Sequence, residues 1–506
     1  MSKFIKSSYK IVGLVLFILI VSPPVWSYQE GQEIYTAVPG LIDLRSTFSD
    51  GSHSIEELVR MAQKRGFKAV FINDHDRIAL SYGFPPFRNI LRFKKEDPSI
   101  MTNGPKEFLS EISRISAQYP DMIIIPGCET SAYYYLTGSW LNNDITVHEY
   151  DRKILIMDLD NQDDYSSIPN LHNQMSLKYT RQHLPKTIIF LIPFVMGIML
   201  FRWNGFFRLT GSALIIISLI VIIDSNPFRS SLFDQYNGDQ GIAPYQELID
   251  YVDQRGGVCF WNYPEQRSGI RSHETSPPPI FSPFLDVMGL SRSIEINVNT
   301  PPYPQVLFES QGYTGFAAIY GDNITATDPG REWDRVLTEY CKGKRKKAAW
   351  GISAADFHGD GRLGIKLGAF PTTFFVKELS KKGIMEAIKN GRMYCSRGDS
   401  DAWPCLNSFN IYGTDGQKAY MGDTVSTSSA PVIKFKIAYN TGISKHITVH
   451  LIRGGETIHT FKGDTPLDEE YVDTDAPLAE KTFYRLIDSR KHLTSNPIFV
   501  TYSPGR

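Results

Sequence analysis

Five side chains of this sequence, Asp50, His75, Glu129, Asp356 and His358, combine the residue types and the placement that hold a metal ion. Carboxylate oxygens and imidazole nitrogens are ligands for hard or borderline cations such as manganese, iron and zinc. Ions held this way make water a better nucleophile and steady a phosphoryl oxygen. A single Asp-His pair is commonly a helix cap or a surface group. What separates these five is that each follows a stretch that reads as a strand, or sits in the turn before the first helix, in a chain with only 11 histidines among 506 residues.

The elements that must position them alternate in kind. Ser54 and Glu57 form a capping box, and Ile55, Leu58, Val59 and Ala62 recur on one face, which predicts a helix over 55–65. Ala69-Val70-Phe71-Ile72 then reads as a buried strand ending in Asn73-Asp74-His75-Asp76. The same order returns as a helix near 108–117 and a strand at 122–125 leading to Gly127-Cys128-Glu129. Further along, a helix at 245–254 precedes a strand at 258–261 that ends in Asn262-Tyr263-Pro264. Strands at 293–296 and 348–351 follow, the second leading to Asp356-Phe357-His358. Such alternation predicts an α/β fold with a parallel sheet, open or closed into a barrel, whose functional loops follow the strands. From about Cys405 the pattern changes to short alternating strands, as in 432–437 and 447–452. They predict a β-sandwich without a catalytic cluster, suited to packing or to binding a protein partner.

These residues carry a resemblance. The run Ile42-Asp43-Leu44-Arg45-Ser46-Thr47-Phe48-Ser49-Asp50-Gly51, the helix after it, and Phe71-Ile72-Asn73-Asp74-His75-Asp76 resemble the opening of a PHP (polymerase and histidinol phosphatase) domain. Pro126-Gly127-Cys128-Glu129 resembles that family's Gly-x-Glu, and Ala355-Asp356-Phe357-His358 its closing Asp-x-His. The match in order and strand placement runs from Leu41 to about Arg397. It implies a distorted seven-stranded β/α barrel, a metal-dependent phosphoesterase activity on a phosphorylated or other anionic small molecule, and up to three metals. By this resemblance Asp50, His75 and His358 would share one metal position, and Glu129 and Asp356 would have served the others.

The departures fall on the ligands. Arg45 stands where the family has the first His of its His-x-His pair, and Lys153 stands where it commonly has His before an apolar run. Nearby His148 would replace the latter only in another register, and the family's His-Pro is here Asn262-Tyr263-Pro264. The expectation is at most one intact site for manganese, iron or zinc, or none. Arg45 and Lys153 bring fixed positive charge that can pair with Glu129 and Asp356 or hold a phosphate, and Arg offers a two-pronged donor for one. Two functions compete: a hydrolase in which Arg45, Lys153 and Glu129 serve catalysis beside one metal, and an inactive scaffold that binds an anion or a protein.

The whole chain sets limits on both. It carries 53 basic and 54 acidic residues, so no basic field attracts nucleic acid. Five scattered cysteines form no zinc knuckle; Cys395 and Cys405 are the one pair open to a disulfide if the domain is exported. Lys3, Lys6 and Lys10 before an apolar stretch and Val25-Trp26-Ser27 have the layout of a signal peptide or N-terminal anchor, 1–27. A second apolar region, 187–223, broken at Arg202-Trp203-Asn204-Gly205, predicts a transmembrane helical hairpin. A hairpin returns the chain to the side it left, so 38–180 and 235–400 can be two halves of one PHP-like domain, with the sandwich at 405–506. The soluble parts are then expected on the extracytoplasmic side, although Lys178, Arg181 and Lys186 lie on that side against the positive-inside tendency.

Overall fold

The computed structural model describes residues 35–171, 176–266, 268–275, 294–322, 324–362, 365–398, 401–477 and 480–502. The expected signal segment lies outside the described residues. The strands that position the site are β1 (Thr36–Leu44), β2 (Ala69–Ile72), β3 (Ile123–Thr130), β4 (Lys153–Met157), β5 (Val258–Asn262), β6 (Gly315–Ile319), β7 (Trp350–Ser353), β8 (Pro371–Val376) and β9 (Met393–Ser396). Across the sheet they run β7-β6-β5-β4-β3-β2-β1-β8-β9. Beyond the last residue of β7, hydrogen bonds come back to β1: Ala355 N–H donates to the Ile42 carbonyl at 3.1 Å and Phe357 N–H to that of Asp43 at 3.0 Å. The sheet is therefore curled, with its far edge returned to its first strand.

Short apolar runs become strands here because both sheet faces are covered. Every residue of β2, β3, β5 and β6 is buried. The helix Ile55–Lys64 begins with the expected capping box and buries Ile55, Leu58, Val59 and Ala62. The structure departs from an all-parallel sheet at two strands: β4 is antiparallel to both β3 and β5, and β8 is antiparallel to both β1 and β9. The strand expected near 293 also lies elsewhere. It is Ile294–Thr300, in a second sheet with Ser268–Thr275, Ile145–His148 and Tyr135–Thr137. Its place in the main sheet is taken by β6, Gly-Phe-Ala-Ala-Ile, whose small residues give no alternation to read.

Beyond β9 the main sheet continues through Leu493–Ser495, Thr482–Asp488, His446–Arg453 and Glu456–Asp464. Pro404–Tyr412, Val432–Tyr439 and Leu467–Val472 pair in another sheet, with Lys418–Ala419 at its edge. Phe409, Phe435, Leu451 and Leu486 belong to one apolar cluster drawn from both. Arg485, fully buried, reaches Asp334 on the helix Glu332–Cys341 with contacts of 2.6 and 2.8 Å. All five cysteines are free thiols, so Cys395 and Cys405 are not bonded to each other.

Between β4 and β5 stand two long apolar helices, Thr180–Phe201 and Phe206–Ser225. They pack closely where small residues meet: a Cβ added at Gly211 would lie 2.5 Å from the Phe201 nitrogen and 2.7 Å from the Gly197 carbonyl oxygen. Their outer faces expose Ile189, Ile192, Met199, Leu209, Ile216 and Ile223. Among the described residues one helix, Phe206–Ser225, is long and apolar enough by length and composition to cross a membrane, with a mean hydropathy of 2.4. The apolar part of its partner is shorter, Thr187–Phe201.

Candidate metal centre

Arg45 is the first residue past β1, and the strand is bent to place it. Asp43 has a φ of 70°, in the left-handed region, and the β1–β2 register shifts between Leu41 and Leu44. The Arg45 guanidinium is wholly buried. Its Nη2 lies 2.8 Å from Asp43 Oδ1, 2.9 Å from Glu129 Oε2 and 3.6 Å from Asp356 Oδ1, while Nη1 donates to the Asn73 carbonyl. Lys153 Nζ reaches Glu129 Oε2 at 2.9 Å. Asn262 Nδ2 donates to Glu129 Oε1 at 2.6 Å and to Asp43 Oδ2 at 3.1 Å, and the Tyr263 hydroxyl donates to Asp43 Oδ2. Burial opposes charge on Glu129, but Arg45 and then Lys153 hold its carboxyl below the ordinary value. Burial moves Asp43 the other way: it raises the carboxyl although Arg45 lies beside it, because Glu129 and Asp356 add like charge.

Asp50, His75 and His358 form a separate group a few ångströms away. Asp50 comes from the turn before the helix Ile55–Lys64, His75 from the segment after β2, and His358 from the segment after β7. One ligand atom from each lies within 4.8 Å of the others. His358 Nε2 is 3.0 Å from Asp50 Oδ2, and His75 Nε2 is 3.6 Å from Asp50 Oδ1. The other nitrogen of each ring is also occupied, His75 Nδ1 at 3.2 Å from Glu129 Oε2 and His358 Nδ1 at 2.8 Å from the Asp356 carbonyl. Burial raises the Asp50 carboxyl, yet the hydrogen bonds from His358 and His75 win and hold it well below its usual range. Burial, with the Lys153 and Arg45 charges, pushes His75 below its ordinary value, which favours the neutral, ligating form. His358 goes the opposite way, burial being outweighed by the hydrogen bond to Asp50.

Two imidazoles and one carboxylate are a donor set that suits a divalent transition metal. Both imidazoles already have an outer nitrogen fixed by a carboxylate or a carbonyl, as ligating histidines do. The residues therefore fit one ion. A cleft of about 430 Å³ opens beside this group, lined by Asp50, His75, Glu129 and Lys153 together with Ile78, Ala79, Pro98, Tyr134, Tyr150 and Leu171.

All seven residues singled out in the sequence meet at this end of the sheet, in two adjoining sets. Glu129, expected after its strand, lies within β3, because the strand runs on through Gly127 and Cys128. Lys153 opens its strand, which would place it at the far rim of a parallel sheet. The reversal of β4 brings it back, paired in register with Asn262. His148 is remote from the site, stacked on Tyr135 and hydrogen-bonded to Thr137 Oγ1 at 2.8 Å. The sequence reading left out Asp43, Asn262 and Tyr263 as site residues, although an acid inside an otherwise apolar β1 was a usable signal for the first. Asp74 is turned inward and accepts from Ser46 and Ser49, fixing the turn that carries Asp50.

No protein-family model and no curated protein matches the chain. Several solved structures resemble its backbone, two of them described as phosphoesterases. One is a two-domain protein containing a predicted PHP-like metal-dependent phosphoesterase from Bacteroides vulgatus, 12% identical, covering 90% of this chain and 94% of that one with a TM-score of 0.34. The other is a candidate metal-dependent phosphoesterase from Bifidobacterium adolescentis, 16% identical, covering 64% and 88% with a TM-score of 0.25. Superpositions at this level carry no argument about chemistry, which rests on the side chains described above.

Proposed function

We propose that the chain is a membrane-tethered phosphoesterase that uses one divalent metal. The observation that carries this reading is the convergence of Asp50, His75 and His358 beside a cleft that Asp50, His75 and Lys153 line. Charge balance supports one ion over several. When ionised, the carboxylates of Asp43, Asp50, Glu129 and Asp356 face two fixed cations, Arg45 and Lys153, a deficit that one divalent ion fills. When bound, such an ion supplies Lewis acidity toward a phosphoryl oxygen and toward water.

The remaining work falls to the side chains in different ways. Lys153 is a quarter exposed and keeps N–H donors for a phosphate oxygen while Glu129 anchors it. Arg45 is closed off from the cleft by its four partners, so its part is to hold Asp43, Glu129 and Asp356 in place. Glu129 is likewise a positioning residue, saturated by Arg45, Lys153, Asn262 and His75. The two apolar helices, with exposed apolar outer faces, form the tether, and the C-terminal strands act as a sandwich bound to the barrel.

A second reading, an anion-binding module without turnover, is favoured by the 3.0 Å contact of His358 with Asp50, which satisfies both groups with no ion. Metal analysis of the purified full-length chain with a p-nitrophenyl phosphate assay across added manganese, iron and zinc decides between them. About one ion per chain, lost in His75→Ala and His358→Ala together with turnover, is the expected result. Anion binding with neither metal nor turnover would leave the second reading standing.

A further inference from the structure

We infer that the phosphate ester acted on is the headgroup of a membrane lipid, presented to the cleft from the bilayer that holds the apolar helices. The inference rests on the hydrolase reading and adds the substrate class to it.

The first support is position. Asn170, in the cleft wall, is joined to the segment leaving the second apolar helix, since Ser230 Oγ donates to its carbonyl at 2.6 Å. The neighbouring Ser231 carbonyl lies 3.3 Å from His183 Nε2, in the first turns of the other apolar helix. His183 stands four residues before Thr187, where the apolar stretch begins, or about 6 Å along the helix. The headgroup layer on each side of the hydrocarbon core is itself only about 5 to 8 Å deep. The wall of the cleft thus lies beside the helix turn that occupies headgroup depth.

A second tie comes from the other wall. Ile78, Ala79 and Asp97 line the cleft at the root of the ribbon formed by Ile78–Gly83 and Arg92–Asp97. At the ribbon's far end, Asn89 N–H donates to Asp224 Oδ1 at 2.8 Å and Ile90 N–H to the same oxygen at 3.1 Å. Asp224 belongs to the last turn of the second apolar helix. Both walls are therefore fastened to the hairpin at its base. Around that base Ile90 and Phe228 are exposed, as are Arg92 and Arg181, a mixture of apolar and basic side chains that suits an anionic bilayer surface.

The lining is the third support, because it has two characters. Lys153 and the candidate ligands suit a phosphate, whereas Ile78, Leu171 and Tyr150 offer an apolar and aromatic wall against which the acyl portion of a lipid can pack. Asp97 and Asp151 also line the cleft, and its other cation, Arg77, is paired with Glu96 at 2.9 Å, which leaves Lys153 beside the candidate ligands as the place for an anion. In the reaction, a water oxygen forms the new bond to phosphorus and the bond from phosphorus to the ester oxygen breaks. The departing lipid oxygen takes a proton, so that water is consumed and a lipid alcohol and inorganic phosphate are released.

The test uses the full-length chain reconstituted with metal in phosphatidylcholine vesicles containing phosphatidic acid, with p-nitrophenyl phosphate and glycerol 3-phosphate as soluble comparators. Phosphate release from the lipid is expected to exceed that from glycerol 3-phosphate by at least a hundredfold in kcat/KM. Ile90→Asp, at an exposed position, should lower the lipid-to-soluble ratio about tenfold. Turnover of soluble esters with equal or lower turnover of the lipid overturns the inference and leaves the hydrolase reading intact. No turnover of any ester removes the reading on which it rests.

Discussion

At the scale of single residues, Arg45 is the most consequential departure from the resemblance that the sequence carries. One buried guanidinium is shared among three acids, Asp43, Glu129 and Asp356. Removing one partner of a buried ion pair leaves uncompensated charge and costs roughly 3 to 5 kcal/mol. Arg45→Met is therefore expected to lower the unfolding free energy obtained from urea titration by an amount in that range, and added manganese should recover part of it by entering among the freed carboxylates. A variant as stable as the parent, with or without manganese, would show that the acids do not depend on Arg45. The positions of the candidate ligands were legible in the sequence because Asp50, His75 and His358 flank recognisable elements. Asp43 and Asn262 were not, since their roles come from a bent strand and from a partner more than 200 residues away.

At the scale of elements, the reversal of β4 decides where Lys153 points, and nothing local announces it. Lys-Ile-Leu-Ile-Met reads the same in either direction, and strand direction follows from the connections on each side, which the sequence shows only as loops. β6 was missed for a related reason, as its Gly and Ala residues owe their place to tight packing and carry no periodicity. Helices with wide apolar faces were by contrast placed within a few residues, the capped one expected over 55–65 being Ile55–Lys64 and the one near 108–117 being Pro105–Gln118. The apolar pair makes its own prediction. Gly211→Val puts a side chain where backbone atoms of the partner helix now sit, and the helices must separate. Thr187 Oγ1 and Ser225 Oγ, 2.7 Å apart at the base, mark a position for a cysteine pair. The disulfide yield of Thr187→Cys/Ser225→Cys should fall at least twofold when Gly211→Val is added. Unchanged yield would mean that the helices do not pack through Gly211.

For the whole molecule, the C-terminal strands are more than an appendage. They extend the main sheet past β9, and Ile452, Phe483, Ile487 and Phe499 sit in the same apolar cluster as the strands around the site. The Asp334–Arg485 pair locks the two together with both residues buried. Asp334→Asn should destabilise the chain by about 3 kcal/mol and raise amide exchange on both sides of this contact, in Glu332–Cys341 and in Thr482–Asp488. Faster exchange confined to Thr482–Asp488 would show that the contact does not couple them.

The returning sheet also has a bearing on biosynthesis. Leu41 of β1 pairs with Val70 on one side and with Pro371 on the other. About 330 residues separate Leu41 from Pro371, and at ribosomal speeds of roughly 5 to 20 residues per second that interval lasts about a quarter of a minute to a minute. Throughout it β1 has one bare edge, and the apolar helices, which end at Ser225, are made before Pro371 is reached. An unfinished chain of this kind is a natural client for a chaperone, and the strand most in need of shielding is the one that carries Asp43 and leads to Arg45.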